Sequence, residues 1–474
     1  MESSTVDDPS IRHRSGTQIE RVMQAIRSQI ASRSLTPGAK LPSIRSTAEM
    51  MQVSKSTVVE AYDRLMAEGI IRSRPGSGFY SAAPLSPLSL AELAPRLDRS
   101  IDPFWVSRQS LEAGSDMLKP GCGWLPSHWM PEEEIRRSLR SLARLRDRTG
   151  LTDYGSPLGL TALRQYLSRR AAEQGFEAAP DQILLTDSGT QAIDLVCRLL
   201  LRPGDTVLVD DPCYFNFLAL LRAHQVEVIG APYTATGPDI SLFEKALSDH
   251  RPRLYITNSG IHNPTGAALS AVTAHKLLKL AEAHDLLIVE DDIFADFEID
   301  PAPRLAALDG LNRVVRVGSF SKTLSAAFRC GYIAGNRSWI DKLTDCRIAT
   351  GFSSNRLSEE LVLSVLSSGA YHKHKDALRA RLAKARAATI PRLRSLGIEP
   401  WIEPKAGMLL WCRLPHGIDA AEVARHALAD GAVLAPGNVF SPSQTAAGFL
   451  RFNVAQCADD RLFPILEKAL RQTG

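Results

Sequence analysis

The chain has 474 residues, too many for one hydrophobic core and suited to two or three domains. Its 44% hydrophobic and 23% charged residues are those of an ordinary globular protein, and no apolar run approaches the length of a membrane span. The net charge of +4 is uneven: residues 1–80 hold eleven Lys/Arg against eight Asp/Glu, which points a nucleic-acid partner at the N-terminus.

Ile19, Val22, Met23, Ile26 and Ile30 recur at the spacing of an amphipathic helix, predicted to end near Leu35, before Pro37-Gly38. Ser43 is placed to cap a short second helix carrying Ile44, Ala48 and Met51. Val53-Ser54 then breaks the chain, and Ser54 caps a third helix whose buried face is Val58, Ala61, Tyr62 and Leu65. Gly69 ends that helix. Ile70 to Arg74 and Pro75-Gly76-Ser77-Gly78-Phe79-Tyr80 read as two strands joined by a tight turn. Three helices and a hairpin make a winged helix-turn-helix.

A helix entering a major groove presents its first turn, here Ser54, Lys55, Ser56 and Thr57, all hydrogen-bonding and none bulky. Lys40 and Arg45 flank it as phosphate clamps, and the tip Gly76-Ser77-Gly78 is slim enough for a minor groove. The alternative is a small helical protein-interaction domain. The run Pro37-Gly38-x-Lys40-Leu41-Pro42-Ser43-Ile44-Arg45, then Val53-Ser54-x-x-Thr57-Val58, Ala61-Tyr62, Gly69 and Gly76-Ser77-Gly78-Phe79, resembles the GntR-type winged-helix domain. The resemblance implies a DNA-binding domain over residues 12–81. Lys55 stands where that family usually has arginine, which keeps the charge and loses bidentate geometry.

Residues 82–115, with prolines at 84, 87, 95 and 103, read as a linker that is semi-rigid where prolines cluster. Within it, Asp102-Pro103-Phe104-Trp105 reads equally as a docking segment or as part of a disordered spacer.

Residues 116–474 form the second expected domain. Ile183-Leu184-Leu185, Thr206 to Val209, Glu227-Val228-Ile229, Leu254-Tyr255-Ile256, Leu286 to Val289 and Val314-Val315 are apolar runs of strand type, with helical patterns between them. They predict a mostly parallel α/β sheet, whose sites collect at the carboxyl ends of strands. There the chain places Asp187-Ser188-Gly189-Thr190-Gln191, a helix start suited to phosphate, and Tyr214, an aromatic able to stack on a planar ring. Asn263 follows, held by a proline turn, then Asp291, a carboxylate able to keep a pyridinium protonated. Ser319-Phe320-Ser321-Lys322 comes last, offering a lysine among hydroxyls as a Schiff-base nucleophile.

From about Gly121 onward this set resembles fold-type I pyridoxal-phosphate aminotransferases. Joined to the N-terminal module, the whole chain resembles a MocR-subfamily GntR regulator. The resemblance implies that Lys322 forms the Schiff base with pyridoxal 5'-phosphate, Asp291 pairs with the ring nitrogen, Asn263 bonds the ring oxygen and Tyr214 stacks on the ring. Gly189, Thr190, Gln191, Ser319, Ser321 and Arg329 would hold the phosphate. Tyr154 would reach the partner subunit's phosphate in a head-to-tail homodimer, and Arg451 would grip an α-carboxylate bidentately. The family usually carries a tyrosine two or three residues after the aspartate, and here those positions are Ile293 and Phe294. Loss of that hydroxyl places efficient transamination in question and leaves cofactor binding intact.

The seven cysteines form no Cys-x-x-Cys pair, so neither a disulfide framework nor a metal site is expected. The N-terminus, with Glu2, Asp7 and Asp8, lacks the layout of a signal peptide, and a cytoplasmic location is expected. The implied function is a bacterial transcription regulator binding operator DNA and sensing a small amine or amino acid. The alternative is a working aminotransferase with a DNA-binding tether.

Overall fold

The computed structural model describes residues 17–31, 34–36, 38–74, 76–82, 103–114, 116–144 and 152–474. Pro37, Pro75 and residues 83–102 of the expected linker lie outside the described residues. The chain divides into two compact units, Met1–Glu92 and Leu93–Gly474.

In the first unit, α1 (Gln18–Ala31) buries Val22, Met23, Ile26 and Ile30. It ends four residues before the expected position. The Leu35 backbone N–H and the Ser34 hydroxyl both turn back onto the Gln29 carbonyl at 2.9 Å, which takes the chain off the helical path while Leu35 still reaches the core. α2 (Ile44–Met51) starts on Ser43, whose hydroxyl accepts from the Ser46 N–H, and α3 (Lys55–Ala67) starts on Ser54, which accepts from the Thr57 N–H. Val58, Ala61, Tyr62 and Leu65 of α3 are fully buried, and Tyr62 ties the helices together by bonding both Thr47 Oγ1 (2.9 Å) and the Pro42 carbonyl (3.0 Å). Strands β1 (Ile71–Arg74) and β2 (Gly78–Ser81) pair antiparallel, Ile71 opposite Ser81 and Arg74 opposite Gly78. The turn between them needs φ of +72° at Gly76 and +106° at Gly78, the region glycine adopts without a Cβ penalty. Lys40 adds a bridge to Tyr80 on the outer edge of this wing.

The first described element of the second unit is α4 (Pro103–Glu112), so ten residues of the stretch read as a linker form a helix. The main sheet comprises β3 (Ile183–Thr186), β4 (Thr206–Asp211), β5 (Glu227–Thr234), β6 (Gly237–Pro238), β7 (Leu254–Thr257), β8 (Leu287–Asp291), β9 (Val314–Ser319) and β10 (Gly331–Ala334). Their order is β3-β10-β9-β8-β7-β4-β5-β6. The six expected strands are all present and run parallel. β10, which the sequence reading did not include, lies antiparallel between β3 and β9. Buried aliphatic residues cover both faces of the sheet, as a parallel sheet requires. A smaller antiparallel sheet, in the order β11 (Glu399–Pro400), β12 (Leu409–Arg413), β14 (Phe449–Asn453), β13 (Ala435–Pro436), packs its own core further along the chain. Its β14 brings Arg451 back to the carboxyl ends of the main strands.

Candidate functional site

The carboxyl ends of β3, β8 and β9 surround a cavity of about 330 Å³ in the second unit. Gly189, Thr190, Tyr214, Asp291, Ser319, Ser321, Lys322 and Arg329 line it together, although up to 140 residues separate them in the chain. Asn263 and Arg451 are bonded to each other beside it. Gln191 and Tyr154 stand apart.

β9 ends at Ser319, and Lys322 follows within one turn. Its Nζ donates to the Gly123 carbonyl at 2.8 Å. Burial, then the charge of Arg451, lowers the Lys322 pKa to about 8, which raises the share of nucleophilic amine near neutrality. The next residue is fixed from behind: Thr323 Oγ1 bonds the Tyr371 hydroxyl at 3.0 Å, and the Thr323 carbonyl faces His374 Nε2 at 2.9 Å. Both partners come from the long helix Gly369–Arg394.

β8 ends in three consecutive acids that have different fates. Glu290 accepts from the N–H groups of Leu305 and Ala306. Asp292 accepts from Arg304 Nε at 2.9 Å and Arg316 Nε at 3.0 Å; burial alone would raise its pKa, but the two arginines outweigh that and hold it below the ordinary carboxylate value. Asp291 has no such cation bonded to it. It is 4% exposed, its carboxylate accepts the Ile293 N–H at 3.3 Å with the Asn258 side chain beside it, and burial outweighs both and pushes its pKa up to about 7. A buried carboxylate with no cationic partner facing a cavity is the arrangement that favours a cationic ligand group.

The anion end is built by backbone. Ser188 caps the helix Gly189–Leu200 by accepting from the Gln191 N–H at 3.0 Å. Gln191 itself folds back, its side-chain amide bonded to Asp187 at both ends (2.7 and 2.9 Å), so it shapes the loop from outside the cavity. β10 lets this helix start approach closely: a Cβ at Gly331 would meet the Ser188 carbonyl carbon at 2.7 Å and the Gly189 nitrogen at 2.8 Å. Ser319 Oγ and Ser321 Oγ lie 3.1 Å apart opposite the helix start, and Arg329 stands exposed at the rim in a left-handed conformation (φ +48°). Free N–H groups, two hydroxyls and a guanidinium suit a phosphate.

Tyr214 is half-buried at the start of the helix Phe215–Ala223, edge-on to Phe217 at 5.4 Å. Arg451 is 1% exposed. It donates from Nη1 to Asn263 Oδ1 (2.9 Å) and from Nη2 to the Gly121 carbonyl (2.6 Å), lies over the Phe440 ring at 4.7 Å, and keeps a buried Nε with no partner among the described residues. Burial lowers its pKa to about 10. Tyr154 is 80% exposed, its ring resting on the equally outlying Phe352. Phe294 is 3% exposed and packs in the core near Phe297, so no hydroxyl reaches the cavity from positions 293 or 294. Trp124, Asn216 and Leu111 also line the cavity, and the sequence reading had named none of them.

On the first unit, Lys55 and Ser56 are exposed on the opening turn of α3 and Thr57 is half-buried. The Ser54 hydroxyl bonds those of Ser56 (2.8 Å) and Thr57 (2.7 Å), so Ser54 organises the turn as much as it presents a donor. Lys40 lays its stem along the wing beside Gly78, and Ser77 bonds the Tyr80 hydroxyl at 2.6 Å. Arg45 pairs with Glu49 in full exposure, a contact worth about 0.5 kcal/mol and readily exchanged for a phosphate. Arg72 and Arg74 extend the basic surface along the wing.

Residues 126–468 match the family model for class I and II aminotransferases, and residues 18–80 match that of the gntR family of bacterial regulatory proteins. Among curated proteins, the chain is 29% identical over 464 residues to the uncharacterized HTH-type transcriptional regulator YdcR of Escherichia coli K12, covering 96% of this chain and 98% of that one. It is 26% identical to HTH-type transcriptional regulator NorG of Staphylococcus aureus RF122, covering 85% and 93%. Among solved structures, kynurenine aminotransferase of Pyrococcus horikoshii, in complex with PMP, superposes with a TM-score of 0.71 at 24% identity, covering 81% of this chain and 97% of that one. LysN, the alpha-aminoadipate aminotransferase of Thermus thermophilus complexed with N-(5'-phosphopyridoxyl)-L-leucine, gives the same score and identity over 81% and 99%.

Proposed function

The chain belongs to the class I and II aminotransferase family and carries a gntR-family head, and we propose that this MocR-type, pyridoxal-phosphate-dependent transcription regulator senses a small amine or amino acid. The observation that carries the proposal is the convergence of Lys322, Asp291 and the helix start at Gly189 on one cavity. The residues fit the cofactor chemically: an amine with a lowered pKa, a buried carboxylate without a bonded cation, a phosphate cradle, and an arginine with an unpartnered buried Nε. When bound, pyridoxal phosphate supplies an aldehyde carbon that an amine attacks and a ring that withdraws electrons from it.

The protein's own groups then have distinct tasks. Lys322 Nζ would hold the cofactor, in competition with an effector's amine for the same carbon. Asp291 would keep the ring nitrogen protonated, and Asn263 would bond the ring oxygen. Tyr214 would stack on the ring, while Gly189, Thr190, Ser319, Ser321 and Arg329 would hold the phosphate, with Gln191 bracing their loop. Arg451 binds the effector's carboxylate. The exposed Tyr154 supports a head-to-tail homodimer in which each subunit completes the other's phosphate site, and two DNA-binding heads then favour a repeated or palindromic operator. A DNA partner supports a cytoplasmic site of action. No described helix is long and apolar enough to cross a membrane.

The test is operator binding, on DNA selected in vitro, with amines and amino acids added one at a time to wild type and Lys322→Ala. At least one effector shifts wild-type affinity by about 5- to 150-fold, and the variant responds to none. A wild type indifferent to every compound, or a variant that responds equally, refutes sensing through Lys322. A second reading, turnover as an aminotransferase, is favoured by the joint presence of Lys322, Asp291 and Arg451 and opposed by the buried Phe294. Steady keto-acid formation from an amino acid distinguishes it.

A further inference from the structure

We propose that Leu111 of α4 selects the effector's side chain, and that the effector is an α-amino acid with an apolar side chain. The proposal rests on the assignment of this cavity to pyridoxal phosphate and effector.

α4 is fixed to the site by one stripe. Pro103, Val106 and Ser110, spaced three and four residues apart, are buried on one helical face. Val106 packs into the aromatic cluster of Phe215, Trp411 and Phe440, and Arg451 lies over the Phe215 and Phe440 rings. Ser110 bonds Cys122, whose neighbour Gly123 accepts from Lys322. The helix is thereby seated between the carboxylate-binding arginine and the amine-binding lysine.

Leu111 follows that stripe by one residue. It is 76% exposed, contributes nothing to the core clusters, and still lines the cavity. Its apolar surface is free to be covered by a ligand. The cavity's charged groups, Asp291, Lys322 and Arg329, are all engaged by the cofactor assignment. The remaining wall is mostly apolar, Trp124, Ile193, Phe217, Leu220 and Ile293, with the Asn216 amide turned to Thr190 Oγ1 at 3.5 Å. Such a wall offers no opposite charge to a charged side chain, which would lose hydration without full compensation. An aliphatic or aromatic side chain gains from the same contact. α4 is also the first described element after residue 82, so the residue that would select the effector sits on the segment leading from the DNA-binding unit.

The experiment loads full-length wild type, Leu111→Ala and Leu111→Met with pyridoxal phosphate and titrates each with leucine, alanine, glutamate and lysine, reading visible absorption and tryptophan fluorescence. Leucine should respond at the lowest concentration in wild type. Leu111→Ala should raise the half-saturating leucine concentration about tenfold, the scale for lost apolar contact in a pocket, with alanine unchanged and Leu111→Met close to wild type. Glutamate or lysine acting more tightly than leucine overturns the proposal, as does a Leu111→Ala effect that is absent or equal for all four. If wild type takes up no cofactor, the assignment of the site itself fails, and that outcome is seen before any amino acid is added.

Discussion

Asp291→Asn in protein freed of pyridoxal phosphate isolates the electrostatics of the site. The wild-type carboxyl is buried and titrates at about 7 in the fold, against an ordinary value of 3.8. Its folded pKa is raised, so the folded state binds the extra proton: the stability this group contributes is fully present below about pH 4 and is lost as pH rises through 7. The full span is about 4 kcal/mol at about 1.4 kcal/mol per pH unit. Between pH 5 and 8 it amounts to about 3 kcal/mol. Asparagine keeps the size and the acceptor for the Ile293 N–H but cannot ionise. The variant's stability relative to wild type should therefore rise by about 3 kcal/mol between pH 5 and pH 8. Lys322 shifts the other way, its pKa lowered to about 8, so it adds stability as pH rises near the top of this window, and it does so in both proteins. All six tryptophans lie in the second unit, so fluorescence-detected urea unfolding reports on the unit holding the site. Wild-type and variant curves that stay parallel from pH 5 to 8 would show that the carboxylate is not buried without a bonded cation as described.

Other substitutions test the supports of the site and the DNA-binding face. Gly331→Ala drives a Cβ against backbone atoms of Ser188 and Gly189, an overpacking of about 1–3 kcal/mol. Equilibrium dialysis should show weaker pyridoxal phosphate binding, and unchanged binding would mean that the close approach does not shape the phosphate end. Asp292→Asn leaves Arg304 and Arg316 buried without their shared carboxylate and should cost about 3–5 kcal/mol in urea unfolding; a loss under about 1 kcal/mol contradicts that role. Lys40→Ala should lower the salt dependence of DNA binding by about one phosphate contact while leaving sequence preference alone. Ser56→Ala should relax sequence preference instead, measured by repeating the in vitro selection.

What the sequence revealed follows from how local each signal is. The caps Ser43 and Ser54, the stripe of α1 and the buried face of α3 depend on neighbours within one turn, and each formed as expected. The six parallel strands were legible as apolar runs bounded by polar strand ends. β10 was not, because Gly331–Ala334 is four residues long and its place is set by pairing with β3, almost 150 residues earlier. The antiparallel sheet holding Arg451 likewise depends on pairing between Leu409–Arg413 and Phe449–Asn453, and only that pairing converts a strand arginine into a buried one. Proline at 103 was one of the four that made the stretch read as a linker, yet it occupies the first helical position of α4, where its missing N–H has no intrahelical role. The resemblance alone names Gln191 with the phosphate ligands; its side chain is drawn to Asp187, four residues before it, a contact the sequence does not announce.

The visible absorption spectrum of purified wild type and Lys322→Ala, each with and without added pyridoxal phosphate, tests the central claim most directly. The account predicts a visible band in wild type that the variant lacks even with excess cofactor, while both proteins bind DNA through the gntR head. A band of equal strength in the variant would place the attachment elsewhere, and no band in wild type would contradict the assignment of the cavity altogether.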